Sequence, residues 1–271
     1  MTELADFLRA SRSRVHPGDV GLDPDGKPRR VPGLRREEVA QLANVSVDYL
    51  VRLEQGRTTN VSRSVLDSLA EALQLAPAAR EYLLTIAGPA DPPPPVGAVR
   101  PQTRRLLASL GLPALVVGRA LDVLAWNPLA AALFADFGAL APEHRNVVRM
   151  TFLDPDYRSL VAEWSVVARE CVAYLRRDAG KYPADPRLAA LVDELSAADA
   201  DFREWWAAHL VQAAGFRRKT FRHPRVGPVT LDSQRLAVET DPGQYVVVYS
   251  AEPGSASEAA LRALAEVALP G

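Results

Sequence analysis

Four histidines (His16, His144, His209, His223) and one cysteine (Cys171) are the side chains of this 271-residue sequence best suited to act as base, nucleophile or metal ligand. Their spacing suits none of those tasks. No two histidines have the i, i+4 spacing that lets one helix face bind zinc. A single cysteine rules out a cysteine-rich metal site and any intramolecular disulfide. The sequence has no GxSxG, P-loop or GxGxxG. Cys171 recurs at helical spacing with Leu160, Trp164, Val167 and Leu175, so it reads as core. These absences argue against an enzyme, and no metal or cofactor is expected. The side chains that stand out are cationic. Lys27, Arg29, Arg30, Arg35 and Arg36 fall within ten residues, although the net charge is −1. Such a local patch can bind phosphate without making the whole protein basic.

A helix pair follows the patch. Val39, Leu42, Val45, Leu50 and Leu53 are spaced to pack two short helices together, and Ala40 and Ala43 allow close approach. The link from Ala43 to Ser46 needs one residue at positive φ, and Asn44 is the best tolerated after glycine. Ser46 suits the N-cap of the second helix, and Gly56 ends it. An ordinary αα-hairpin would show the same apolar spacing. Two features favour DNA. The second helix exposes Val47, Asp48, Tyr49 and Arg52 at its N-terminal end, the end that enters a major groove. Beyond it, Arg57, Thr58, Thr59 and Asn60 supply donors suited to phosphate.

The elements around this pair divide into two domains. The composition, 48% apolar and 24% charged, is that of an ordinary globular protein. No apolar run approaches the ~18 residues of a membrane helix, and the N-terminus lacks a signal-peptide core. A cytoplasmic protein is expected. Residues 88–101 include four consecutive prolines, which cannot continue a helix and form a semi-rigid extended spacer. The boundaries therefore read as 1–88 for an all-α DNA-binding domain, 89–101 for the linker and 102–271 for a second domain. Five helices are expected before the linker. Between the first two lies a long Pro-, Gly- and Asp-rich loop holding Arg29 and Arg30. It is either a solvated insertion or an arm that touches phosphates or a minor groove.

The second domain mixes periods. Two short strand-like runs flank Gly118-Arg119 and suggest a hairpin. Helical spacing follows, with one long apolar stripe from Leu160 to Leu175 and further helices across 185–211. The period then falls to two across 215–254, giving three antiparallel strands, and a last helix runs from about Ser257 to Ala268. Strands at both ends suit a five-stranded antiparallel sheet with helices on one face.

The segment REEVAQLANVS…LVRLEQGR, followed by SVLDSLAEAL, resembles the lambda-repressor-like (Xre) helix-turn-helix family. That resemblance implies base or phosphate contacts at Ser46, Val47, Asp48 and Arg52. It places Arg36 where the family often has a backbone-gripping glutamine, and gives Glu54 a structural role. The second half resembles the ligand-binding domain of MmyB-like regulators, which is PAS-like. The matching segments are LDVLAWNPLAAALFADF, RNVVRMTFLDPDYRSL, EWSVVARECVAYLR, FREWWAAHLV, FRHPRVGPVTLD and YVVVYSAEPGSASEAAL.

This resemblance implies control of transcription, with links to antibiotic metabolism, and a small apolar, fatty-acid-like ligand. Trp126, Phe134, Phe137, Phe152, Trp164, Trp205 and Trp206 could line an apolar pocket or simply fill the core. Arg145, Asn146, Tyr157, His209 and His223 could hold a ligand's polar head or hydrogen-bond within the fold. The expected partners are double-stranded DNA with a palindromic operator, the ligand and a second copy of the chain, with no membrane. In the competing reading the C-terminal domain only dimerises and binds no ligand.

Overall fold

A computed structural model of the chain describes residues 2–22, 33–58, 60–89, 97–209, 211 and 218–268. It divides into two compact units. The first comprises Met1–Pro92 with Ala179–Ala184 and Glu204–Ala213, and the second Pro93–Asp178 with Asp185–Arg203 and Ala214–Gly271. Arg29, Arg30, Thr59 and Pro92 to Pro95 lie outside the described residues.

The first unit holds the five expected helices: α1 (Glu3–Arg14), α2 (Arg36–Leu42), α3 (Val47–Glu54), α4 (Arg63–Ala72) and α5 (Pro77–Ala87). Each starts and stops for a local reason. Asn44 sits at φ +53 and turns the chain out of α2. Ser46 caps α3 by accepting the Tyr49 N–H at 3.1 Å, and Ser62 caps α4 by accepting that of Val65. Pro77 opens α5, where its missing N–H costs nothing. Phe7, Leu8, Leu34, Leu50, Leu53, Leu69 and Leu83 are almost fully buried between the helices, each contributing about 1.5–3 kcal/mol by leaving water. Leu42, expected in the α2–α3 seam, is 36% exposed; Val39 and Ala40 are the residues of α2 that turn inward.

The long connection after α1 reads in the sequence as loop throughout. Its start is instead one 3₁₀ turn, Pro17–Val20, because Pro17 presets φ and the Asp19 carboxylate accepts the His16 N–H at 2.9 Å. The connection returns to α1 at Gly33. A β-carbon there would lie 2.3 Å from the Arg12 carbonyl oxygen, so only glycine fits this approach.

The second unit carries a five-stranded antiparallel sheet in the order β2-β1-β5-β4-β3: β1 (Ala114–Val117), β2 (Val123–Trp126), β3 (Arg218–His223), β4 (Gly227–Ala237) and β5 (Tyr245–Ser250). This is the PAS-like arrangement that the resemblance implies. The hairpin around Gly118-Arg119 forms with Leu115 opposite Trp126. The helices from the linker on are α6 (Pro101–Ser109), α7 (Pro128–Phe134), α8 (Val147–Leu153), α9 (Pro155–Leu160), α10 (Trp164–Lys181), α11 (Pro186–Ala198), α12 (Ala200–Ala207) and α13 (Ala256–Ala268), of which the ends of α10 and α12 count with the first unit.

Two expectations for this unit need correction. Helices do not lie on one face alone. Ala114, Val116, Ala125 and Val246 share a face by register and pack with Leu107 of α6, while Phe134 of α7 meets Phe221 and Tyr249. All four residues of the interior strand β1 are therefore buried. The apolar stripe from Leu160 to Leu175 is not one helix. Leu160 ends α9 and Trp164 begins α10. Val161 between them forms a β-bridge with Phe221, and the Ala162 N–H donates to the Thr220 carbonyl at 2.9 Å. A strand pairing across the chain interrupts a pattern that is locally continuous.

Candidate functional site

The α2–α3 pair has the form of a DNA reader. Leu50 and Leu53 of α3 are buried, while Ser46, Val47, Asp48 and Arg52 are exposed on the opposite side. Tyr49 is half-buried against the core. Arg57 and Asn60 are exposed beyond the helix and Thr58 is half-buried. Gly56, at φ +69, makes the left-handed turn that stops α3 and turns the chain toward them.

Three ion pairs form at this reader, around two centres. Arg52 Nη2 lies 3.2 Å from Asp48 Oδ2, one turn back on α3, and both groups are in solvent. Glu54 is the second centre. Its side chain is 1% exposed, and its two oxygens accept Arg36 Nε at 2.6 Å and Arg12 Nε at 2.7 Å. Arg12 also donates to the Leu34 carbonyl at 2.8 Å. Arg36 thus braces α3 while its guanidinium remains half-exposed. Arg35 is half-buried at the start of α2, where its N–H donates to the Glu38 carboxylate at 2.6 Å.

The aromatic and polar residues singled out in the second half do not converge on one place. Phe134 stacks edge-on against Phe221 and Tyr249. Trp126 packs on Phe137 and lies under the Arg145 guanidinium at 5.2 Å. Trp164 meets Phe152 and donates its indole N–H to the Thr151 carbonyl at 2.7 Å. Tyr157 is buried, and burial pushes its phenol well above the usual range. His223 is buried within 3.0 Å of the Ala132 carbonyl oxygen. Trp205 and His209 belong to the first unit, where His209 Nδ1 lies 3.1 Å from Glu3.

Asn146 alone of these residues lines a cavity in the second unit, a space of about 290 Å³. Leu124, Leu188 and Leu191 give the cavity an apolar side. The turn between β1 and β2 also lines it. Ala120 and Leu121 there sit at φ +52 and +62, a conformation that costs side-chain-bearing residues about 1–3 kcal/mol each. The turn is held by side chains of α10 and of the N-cap of α8. Asp178 accepts the Ala120 N–H at 2.6 Å, and Asn146 Nδ2 donates to the Ala120 carbonyl at 2.9 Å and to Asp122 at 2.8 Å. Burial raises the Asp178 carboxyl above its usual range, against the opposing pull of that N–H and nearby arginines.

Comparison with known proteins falls on the same two parts. Residues 3–83 match the model of a helix-turn-helix domain. Residues 99–264 match the model of the MmyB-like transcription regulator ligand binding domain. No curated protein matches the chain. Among the described residues no helix is long and apolar enough to cross a membrane. The helix-turn-helix match covers α1 to α4 with the exposed α3 and runs into α5, and the second match, more than half of the chain, covers the sheet and most of the cavity lining. The chain is a DNA-binding transcription regulator with a ligand-binding domain, and it belongs to the MmyB-like transcription regulator family.

Proposed function

We propose that this regulator binds a palindromic operator as a homodimer and that a small apolar, fatty-acid-like molecule changes its grip on DNA. The exposed N-terminal turn of α3 carries the DNA half of the reading. Val47, Asp48, Tyr49 and Arg52 would face base edges, while Arg35, Arg36, Ser46, Arg57, Thr58 and Asn60 would contact phosphates. Arg29 and Arg30 would add electrostatic contacts from the long loop. One helix-turn-helix reads only a short half-site, so two related by a twofold axis are the usual solution.

The cavity with its leucine side supports the ligand half, since a pocket of mixed apolar and polar lining is the common form of a small-molecule site. Regulation requires that ligand bind two conformations of the protein unequally. The test is to denature the purified protein, identify released small molecules by mass spectrometry and add them back during titration of a selected operator. Operator affinity should change about 5- to 150-fold. A protein that releases no molecule, and whose operator affinity no cell extract alters, would favour a C-terminal domain that only dimerises.

A further inference from the structure

The boundary between the two units falls inside a helix. α10 counts with the second unit through Asp178 and with the first from Ala179. Gly180 is what lets its last turn belong there. A β-carbon at Gly180 would lie 2.5 Å from Tyr82 Cε2 and 2.8 Å from Ile86 Cγ2 of α5, so only glycine allows this approach. Tyr82 has no room to give way. It is buried, its ring meets Phe7 edge-on at 5.3 Å, and its hydroxyl donates to Glu3 at 2.7 Å. Phe7 and Glu3 both lie on α1, the helix that also supplies Arg12 to Glu54 of α3. The end of α10 is thus joined to the recognition helix through Tyr82, α1 and one ion pair.

The same helix holds the turn between β1 and β2. Two positions before Gly180, Asp178 accepts the Ala120 N–H at 2.6 Å. Helical rise puts the two anchor points about 3 Å apart along one stiff element. The turn itself is under strain. Ala120 and Leu121 carry side chains at φ +52 and +62, a conformation that persists only where the surroundings hold it. Arg119 of the same turn is paired with Asp185 at 2.6 Å. A turn of this kind has two arrangements, one clamped by Asp178 and one relaxed. An element with two arrangements is what coupling between distant sites requires.

We infer that α10 carries the coupling between the two functional halves: Asp178 follows the state of the Ala120 turn, and Gly180 passes it to Tyr82, α1 and the recognition helix. This route serves the ligand-dependent grip on DNA proposed above. DNA alone suffices to test it, because coupling is reciprocal. A turn that biases DNA binding must itself be biased by DNA.

The test is hydrogen exchange of the full chain, read by mass spectrometry, with and without a duplex selected from a random pool. The turn offers three hydrogen-bonded amides, those of Gly118, Ala120 and Asp122. The selected duplex should change their exchange rates by about fivefold or more. Gly180→Ala should abolish that change while the duplex still binds. Alanine favours a helix more than glycine does, so α10 itself is not weakened. Asp178→Ala should alter affinity for the duplex by about fivefold or more. Asp178→Asn, which keeps an oxygen for the Ala120 N–H, should bind as the parent does. The two sites lie at different ends of the route, so one remains informative if a variant at the other does not fold. Gly/Ser residues in place of Pro92 to Pro95 should leave the exchange change intact. The inference is overturned if the duplex binds and exchange in the turn does not respond, or if the response survives Gly180→Ala. Loss of the response with the Gly/Ser linker, or equal affinities for Asp178→Ala and Asp178→Asn, would overturn it too. If no duplex binds, the reading of α3 fails and the route fails with it.

Discussion

Arg36 Nε lies 2.6 Å from Glu54 Oε2, which ties the start of the first reading helix to the end of the second. Arg12 closes the same carboxylate from α1. The recognition helix is therefore held ionically as well as by Leu50 and Leu53. Removing one partner of a buried ion pair leaves the other charge uncompensated, so Glu54→Ala should cost about 3–5 kcal/mol. Arg36→Ala should cost less than about 1 kcal/mol, since Arg36 is half in solvent and Arg12 still pairs Glu54. Urea denaturation of both variants checks the order. Equal losses would mean that Glu54 does not anchor α3.

Arg52 is paired with Asp48 in the absence of DNA. An exposed pair of this kind is worth about 0.2–1 kcal/mol, so Arg52 can leave it for a base edge at small cost. Arg52→Ala should lose about 1–3 kcal/mol on a selected operator and distinctly less on random duplex. Asp48→Asn should tighten binding to both, by removing a charge that repels phosphate. Equal loss on both duplexes for Arg52→Ala would make Arg52 a phosphate contact only.

The basic loop gives an electrostatic prediction. Replacing Arg29 and Arg30 by alanine should weaken binding to every sequence. It should also flatten the slope of log affinity against log salt by up to about 1.8, or about 0.9 for each phosphate no longer neutralised. An unchanged slope would mean that the loop does not touch DNA.

Asp178, which holds the strained Ala120, predicts a pH effect. Its carboxyl is raised above the reference value of 3.8 because burial disfavours the charged form. The sign follows from proton linkage. The folded state binds this proton more tightly than the unfolded state, so the contribution is complete below about pH 3.8 and is lost as pH rises through the higher folded value. Asp178→Asn keeps an oxygen for the Ala120 N–H and carries no charge. Its Tm should equal or exceed that of the parent at pH 7, with the gap closing toward pH 3.5. A variant markedly less stable at pH 7 would show that the charged carboxylate is needed there.

The parts of this fold legible in the sequence are those set by neighbours along the chain. Asn44 and Ser46 mark the α2–α3 turn because left-handed tolerance and helix capping act over three residues. Period-two runs mark β3 to β5, and two short strand-like runs mark β1 and β2, for the same kind of reason. Pairings between distant segments were not legible. Glu54 meets Arg12 across 42 residues, and nothing near either one marks the pair. The break between Leu160 and Trp164 comes from Phe221, some sixty positions on. Ala120 and Leu121 are neither glycine nor asparagine, so their left-handed backbone has no sequence sign. It is imposed by Asp178 and Asn146. The cavity was missed because residues near 97, 118–124, 185–194 and 242–244 meet only in the folded domain.

Sequence-specific recognition of DNA by α3 is the central claim, and one comparison of affinities tests it most directly. Duplexes would be selected from a random pool by the full-length protein. Binding of the winning sequence and of a shuffled duplex would then be measured by fluorescence anisotropy at one fixed, near-physiological salt concentration. The selected duplex should bind at least about a thousandfold more tightly than the shuffled one, and Arg52→Ala should erase about ten- to hundredfold of that ratio. A ratio near one, or one that Arg52→Ala leaves intact, would contradict the account.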